Sequence, residues 1–292
     1  MKPLDIVFAI LVPLTWGFGI VFAKAALEHF PPLLLMALRF EVTALVMLWF
    51  VKPPWHLMRK IIAISFISAT LQYGFTYTGV KYLDASTAAL IVQLEVPFLV
   101  ILGAVFLKER PSIRKYLGIV VAFIGVFLIS GEPRLIGNHW PIMMVMLGAF
   151  LWAIGQIMIR QLGEVGGMTL IAWVALFATP QLFIASIVFE DNHFNYMNDA
   201  SWVVWAAVVY LGVVMTAFGY SIWYHLLGRY PVNLVGPYLL LVPVFSILGG
   251  VTVLDERLTL FTIIGGAIVI LGVALIAVEP KHVLSKTRIA KL

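Results

Sequence analysis

The sequence predicts an all-α integral membrane protein with ten transmembrane helices, arranged as two inverted five-helix repeats. Hydrophobic residues fill 62% of the 292 positions and charged residues only 11%, whereas about a quarter of the residues in a soluble domain are charged. Apolar stretches long enough to cross a bilayer, which takes about 20 residues, fill the chain. Two motifs of the first half recur in the second. Lipid is therefore the expected solvent, and helices satisfy their backbone hydrogen bonds internally.

The predicted spans follow one another with short connections. They cover residues 6–23, 32–51, 61–82, 85–107, 113–131, 141–160, 168–189, 202–227, 232–254 and 260–278. The longest polar connection inside the chain, residues 190–200, is too short for a soluble catalytic domain. We expect a first repeat at 1–131, a connecting loop at 132–140, a second repeat at 141–279 and a basic cytoplasmic tail at 280–292.

Basic residues are distributed unequally between alternate connections. With the N-terminus in the cytoplasm, cytoplasmic segments hold fourteen Lys and Arg, the opposite side holds four, and Arg39 lies within a span. Because Lys and Arg accumulate in cytoplasmic loops, we expect both termini to face the cytoplasm. The net charge of +5 is spread over loop ends rather than along one stripe, so it predicts no nucleic-acid partner.

The two halves share motifs in register. Tryptophan, glycine and a basic residue in 16–24 recur in 152–160, and a Glu-Arg turn followed by two glycines in 107–129 recurs in 254–276. Five helices, an odd number, separate the copies, so the second copy enters the membrane from the opposite side. Inverted repeats of this kind place a substrate site near the midplane between the halves and predict alternating access. We expect the Glu-Arg turns to form local ion pairs and helix caps.

These motifs, together with residues 31–40, 227–230 and 241–243, resemble the EamA family of the drug/metabolite transporter superfamily. The resemblance extends over the whole chain and is strongest to bacterial exporters of cysteine, O-acetylserine and related amino-acid metabolites. It implies a multi-pass carrier of the bacterial inner membrane, with helices 1–4 and 6–9 around a central cavity and helices 5 and 10 outside it. It implies no bound cofactor.

Glu95 is the first candidate site residue. It lies about 15 Å along the fourth predicted helix, near the middle of a hydrocarbon core about 30 Å thick. A carboxyl group there is costly unless it faces a wet cavity or holds a proton. We interpret Glu95 as a substrate-binding residue that also couples proton movement to transport; the alternative is a structural hydrogen bond to a neighbouring helix. Pro97 in this helix and Pro237 and Pro243 in the ninth interrupt corresponding elements, which is typical of a binding site.

Arg39 is the second candidate, about 10 Å below the outer end of the second helix. Its planar guanidinium matches a substrate carboxylate, although snorkelling to the interface or an ion pair with a nearby carboxylate explains it equally well. If Arg39 and Glu95 share a cavity, the pair would bind a zwitterion, with the guanidinium on the carboxylate and Glu95 on the ammonium group.

Further candidates are polar or aromatic residues expected to line the cavity. They are Trp16, Gln72, Thr76, Gln156, Tyr220, Trp223 and Tyr238. In the third helix Gln72, Thr76 and Gly79 share one face, and Thr216 begins a similar pattern in the eighth. Small residues at this spacing are equally typical of ordinary helix packing, so both interpretations stay open.

The sequence contains no signature of a membrane enzyme. It has no cysteine and no H-E-x-x-H, G-x-S-x-G or P-loop motif. From the repeat and the resemblance we predict a secondary transporter that exports small amino acids or related metabolites across the inner membrane by alternating access, with no metal or cofactor. We keep two alternatives: an exporter of amphipathic cations or drugs, which aromatic residues and Glu95 would suit, and a passive channel. We expect a monomer or weak dimer in contact with lipid and a small-molecule substrate.

Overall fold

The computed structural model describes residues 1–132, 135, 137–163, 165–230 and 232–278, with only the backbone described for Phe194, Val232 and Asn233. The predicted basic tail at 280–292 and Arg134 lie outside the described residues. The long helices are α1 (Pro3–Ala26), α2 (Pro32–Met47), α3 (58–80), α4 (Ala85–Phe106), α5 (Ile113–Ser130), α6 (Trp140–Leu162), α7 (Gly167–Phe189), α8 (Trp202–Leu227), α9 (Gly236–Val253) and α10 (Leu260–Ala277). A short helix, His193–Asp199, lies between α7 and α8.

Nine helices of the described part of the chain are long and apolar enough to cross a membrane. The remaining long helix, α3, is continuous from 58 to 80. It has Arg59 and Lys60 near its start and Gln72, Thr70 and Thr76 in its body, so it is less apolar than its neighbours. The architecture is thus helical and multi-pass, as the composition predicts.

The two halves pack against each other with the same pairings. Helix α1 lies against α8 and α9, and the corresponding helix α6 lies against α3 and α4. Helix α2 packs on α7. The contact of α2 with α8 corresponds, in the other half, to the contact of α7 with α3. Exchange of the halves therefore reproduces the contacts, as expected for two copies of one unit.

The contact between α5 and α10 fixes the relative direction of the copies. A Cβ atom on Gly118 would lie 2.6 Å from the carbonyl oxygen of Gly272, and one on Gly125 would lie 2.6 Å from that of Gly265. The start of α5 therefore meets the end of α10, and the two helices run antiparallel. Glycine allows the backbones to approach this closely, so the glycines of the repeated motif serve packing.

Irregular backbone occurs at corresponding places in both halves. The helical pattern of α4 is interrupted at Gln93 and Leu94, just before Glu95. Pro97 has no N–H to offer the carbonyl of Gln93, which instead accepts from the N–H of Val96 at 3.2 Å. Helix α9 begins with a 3₁₀ segment, Gly236–Leu240, which contains Pro237.

Helices α3 and α8 contain π-helical segments, which the sequence analysis did not predict. They are Phe66–Leu71 in α3 and Tyr210–Phe218 in α8. In α8 the hydroxyl of Thr216 donates to the carbonyl of Leu211 at 2.7 Å. Segments of this kind are frequent at functional sites because they alter the direction of neighbouring side chains.

The connections lie at two ends of the bundle. The terminal face holds Met1 and the connections α2–α3, α4–α5, α6–α7 and α8–α9, and contacts such as Asp5 with Arg229 join them. The opposite face holds the other connections; there Lys24 donates to the carbonyl of Lys81 at 2.7 Å, and Glu190 accepts from the N–H of Leu33 at 2.7 Å.

Candidate functional site

A cavity of about 60 Å³ lies between α2, α3, α6, α7 and α8. Its aromatic lining consists of Phe40, Tyr73, Trp152, Tyr220 and Tyr224, and its polar lining includes Ser68, Gln156 and Thr216. Ile159 and Leu170, which also line it, lie close to the α6–α7 connection, so the cavity extends toward the terminal face. The residues that line it in the described structure include none with a charge.

Arg39 lies behind the wall of this cavity and is fully buried, with 0% of the residue exposed. Its Nε donates to the hydroxyl of Thr216 at 3.0 Å, and its Nη1 donates to the hydroxyl of Tyr77 at 3.2 Å. Its Nη2 is buried without a hydrogen-bond partner among the described residues. The guanidinium thus retains donor capacity that the protein does not use.

Aromatic rings surround the same guanidinium. Its Cζ lies 4.6 Å from the centre of the Tyr73 ring and 5.4 Å from that of Phe40. Tyr73 and Thr216 both line the cavity, so they separate Arg39 from it. No ion pair joins Arg39 to a carboxylate within the described part of the chain. Burial of a cation without a counterion is costly, and the rings and hydroxyls offset that cost.

Glu95 lies near this network but not in the cavity lining. It begins the second segment of α4 and is partly buried. It lies within electrostatic range of Tyr77, the residue that accepts from Arg39. It has no hydrogen bond or ion pair with any residue that the structure describes. Glu95 is therefore close to the surroundings of Arg39, and neither residue is part of the cavity lining.

Three aromatic candidates cluster beside the cavity. The indole N–H of Trp16 donates to the carbonyl of Met215 at 3.1 Å. The ring centre of Trp16 lies 4.8 Å from that of Tyr220 and 6.1 Å from that of Trp223. Of the three, only Tyr220 lines the cavity. Trp16 and Trp223 thus support the wall from behind.

Tyr238 and Gln156 take different positions. Tyr238 lies in the 3₁₀ segment of α9 and packs in a cluster with residues of α1 and α8, including Trp16 and Trp223. It does not line the cavity. Gln156 does line it, on the wall formed by α6.

The stripe of Gln72, Thr76 and Gly79 faces α6 rather than the cavity. Thr76 lies against Gly148, and a Cβ atom on Gly79 would lie 2.5 Å from the carbonyl oxygen of Pro141. Gln72 Oε1 and Thr76 Oγ1 are buried without partners among the described residues. Of the two interpretations that the sequence left open, close helix packing describes this stripe.

Sequence reasoning missed Tyr73 and Tyr77, the two aromatic partners of Arg39. They lie one helical turn apart on α3 and their rings are stacked, with centres 5.8 Å apart. The i, i+4 spacing was visible in the sequence, but nothing local indicated that a cation from α2 would lie against them. Trp152 was visible as the repeat counterpart of Trp16, and it lines the cavity.

The Glu-Arg turns make contacts between the halves, not the local contacts expected. At the opposite face Glu256 accepts hydrogen bonds from the N–H groups of Ala85 and Ser86 and from the Ser86 hydroxyl. It therefore caps α4, and it also interacts electrostatically with Lys24. The repeat counterparts meet at the terminal face, where Arg160 and Glu109 form an ion pair of 2.5 Å.

The geometry of the two turns is the same. Lys108 and Asp255, which precede the two glutamates, both have left-handed backbone conformations, with φ of 54° and 53°. Each half therefore places one glutamate in contact with the other half: Glu109 just after α4 and Glu256 just after α9.

Comparison with known proteins agrees with the repeated architecture. A model of the EamA-like transporter family matches residues 4–131 and again residues 139–278. The chain belongs to the EamA-like transporter family. The resemblance inferred from the sequence motifs is thereby confirmed.

Relatives of this EamA-like chain extend over nearly its full length. A protein of Escherichia coli (strain K12), named as a probable amino-acid metabolite efflux pump, is 31% identical over 284 residues, covering 93% of this chain and 94% of its own. The Salmonella typhimurium protein of the same name is 31% identical over 282 residues, with the same coverage. A protein of Archaeoglobus fulgidus, named only as an uncharacterized transporter, is 28% identical over 266 residues, covering 89% of this chain and 94% of its own.

One solved crystal structure shows the same fold. It is 20% identical, covers 99% of both chains and superposes with a TM-score of 0.65. The chain is thus a multi-pass membrane transporter and not an enzyme.

Proposed function

We propose that this EamA-like chain is a secondary transporter that exports small amino acids or related metabolites across the bacterial inner membrane by alternating access. The observation that carries the proposal is Arg39, a fully buried guanidinium with an unused Nη2 beside a cavity. A carboxylate is the planar anion that a guanidinium binds best. The names of the two bacterial efflux pumps support the same class of substrate.

The charge distribution supports ten spans with both termini in the cytoplasm. Among the described residues, the terminal face holds ten Lys and Arg and the opposite face holds three. Positive residues accumulate on the cytoplasmic side, so the terminal face is the cytoplasmic one in this proposal. The helix α3 then provides the tenth span, and its polar residues are tolerated because they face α6 instead of lipid.

Alternating access is supported by the pairing of the halves. The cavity extends toward the terminal face, while Glu256 joins the halves at the opposite face. This arrangement corresponds to a state that receives substrate from the cytoplasm. Opening of the other side requires separation of Glu256 from α4, and formation of equivalent contacts by Glu109 would close the cytoplasmic side.

Proton coupling through Glu95 belongs to the same proposal. Glu95 lies within electrostatic range of Tyr77, which accepts a hydrogen bond from Arg39, so a change of charge on Glu95 would be felt by the guanidinium. Protonation of Glu95 would remove a negative charge near the guanidinium, so it would change how strongly Arg39 holds the substrate carboxylate. A monomer suffices for this cycle, because both halves of the cavity wall belong to one chain.

Transport in proteoliposomes tests the proposal. We expect labelled O-acetylserine or cysteine to enter faster when vesicles are preloaded with the unlabelled compound, because a carrier, unlike a channel, exchanges substrate. Arg39→Gln should abolish this exchange, and Glu95→Gln should retain exchange while losing its dependence on a pH gradient. Exchange that survives Arg39→Gln in correctly inserted protein would refute the role of Arg39.

A further inference from the structure

We infer that the cavity selects its substrate by the carboxylate alone, so that a carboxylate with a neutral remainder binds at least as well as the zwitterionic amino acid. The inference rests on the proposed function and names the substrate class of the same site. It departs from the zwitterion site expected from the sequence, in which Glu95 would receive the ammonium group.

The charges around the cavity are one-sided. Arg39 supplies a buried positive charge behind Tyr73 and Thr216 of the cavity wall. Its Nη2 has no hydrogen-bond partner among the described residues and retains its donor capacity. The lining that the structure describes contains no carboxylate. Glu95 is outside this lining. An ammonium group bound here would therefore lie near the guanidinium, and the described lining would provide no carboxylate to neutralise it.

The size of this effect follows from the geometry of an α-amino acid. When its carboxylate binds a guanidinium, its ammonium group lies about 5 Å from that cation. At an effective dielectric constant of about 20, the repulsion between these like charges corresponds to a loss of roughly 200-fold in affinity. The faces of Tyr220, Tyr224 and Trp152 can offset part of this repulsion, since a cation over an aromatic ring gains about 2-fold to 30-fold in affinity. Removal of the ammonium charge therefore costs little affinity and can raise it.

The remaining lining suits an uncharged group. Ile159 and Leu170 provide aliphatic surface, while Gln156 and Ser68 provide hydrogen-bonding groups. An N-acylated amino acid or a deaminated acid presents such a combination: one carboxylate, an apolar chain and at most one neutral polar group. We assign the cavity to monocarboxylates of this class.

Binding of a matched ligand series to the full-length protein in detergent tests the inference. The series consists of leucine, N-acetylleucine, 4-methylpentanoate, which lacks the amino group, and 3-methylbutylamine, which lacks the carboxylate. The readout is the rise of the thermal unfolding midpoint with ligand concentration, because a ligand of the native state stabilises it in proportion to the logarithm of its concentration. We expect both acids to bind as tightly as leucine or tighter, and the amine at least about tenfold more weakly.

The possible results separate failure of the carboxylate-only inference from failure of the proposed substrate class. If leucine binds and both acids without an ammonium group bind about tenfold more weakly or not at all, the inference is wrong while carboxylate recognition stands. If the amine binds and no carboxylate does, both the inference and the proposed substrate class are wrong. If no member of the series binds, the inference is also wrong. Arg39→Lys serves as the control with retained charge: it should weaken both acids and leucine alike, because it loses the planar fork.

Discussion

Glu256→Gln is expected to shift the protein toward a state that is open at the opposite face. The carboxylate of Glu256 accepts from the N–H of Ser86 at 3.1 Å and from its hydroxyl at 2.6 Å, and it also accepts from the N–H of Ala85. These bonds join the second half of the chain to the first at the start of α4. A state in which the face opens must break them.

The magnitude can be worked from these contacts. A hydrogen bond to a charged acceptor contributes about 1.5–3 kcal/mol and a neutral one about 1 kcal/mol. Glutamine keeps one acceptor oxygen but loses the charge, and with it the interaction with the helix N-terminus, which contributes about 0.5 kcal/mol. The closed state should therefore lose about 2 kcal/mol, which corresponds to a change of about 30-fold in the population ratio.

Labelling of a single cysteine measures this shift, since the chain contains no cysteine of its own. Ser246 is a suitable position because it is fully buried and its hydroxyl donates to the carbonyl of Ala85 at 3.2 Å, next to the contact. In S246C, a membrane-impermeant maleimide should react faster when Glu256→Gln is added, by up to about 30-fold.

Glu109→Gln in the same S246C background is the matched control, since it removes the repeat counterpart at the terminal face. It should leave the labelling rate unchanged or lower it. An equal rate in the Glu256→Gln and parent proteins, both correctly inserted, would refute the assignment of Glu256 to closure of this face.

The remaining predictions concern the terminal face, the packing of α5 on α10 and the cavity wall. Arg160→Gln removes the Arg160–Glu109 ion pair and should change the thermal unfolding midpoint little. Both side chains are exposed, by 63% and 45%, and exposed ion pairs contribute about 0–1 kcal/mol to stability. A large drop in the midpoint would contradict this prediction. Gly125→Ala should lower the free energy of unfolding by roughly 1–3 kcal/mol, since the new methyl group meets Gly265 and Val269. Gly166→Ala is the control and should be tolerated, because the nearest neighbour of its methyl group would lie 3.7 Å away. Equal unfolding midpoints for the two variants would contradict close packing of α5 on α10. Tyr73→Phe should preserve the ring over Arg39 and most of the transport rate. Tyr73→Leu should lower the rate by about tenfold or more, because loss of a buried cation–π contact costs about 2 kcal/mol. The same rate in both variants would exclude a role for the ring.

The candidate site was only partly predictable from the sequence. Arg39 was identifiable because a permanent charge within an apolar span requires an explanation. Its partners were not identifiable, because Tyr73, Tyr77 and Thr216 come from two other helices. Glu95 was predicted from its depth alone, and depth does not tell which face of an irregular helix a side chain occupies. The interruption at Gln93 and Leu94 changes that face just before Glu95.

Local physics and contacts between helices thus determined different parts of this protein. Apolar length, the asymmetry of Lys and Arg and the repeated motifs are properties of short segments, so the sequence by itself determined a helical membrane protein built from two copies. The π segments of α3 and α8, the burial of Arg39 beneath Tyr73 and the capping of α4 by Glu256 depend on how helices distant in the chain pack together. Only the tertiary structure decided them, because the partner of each side chain lies on another helix. The neighbouring residues in the sequence do not indicate which residue that partner is.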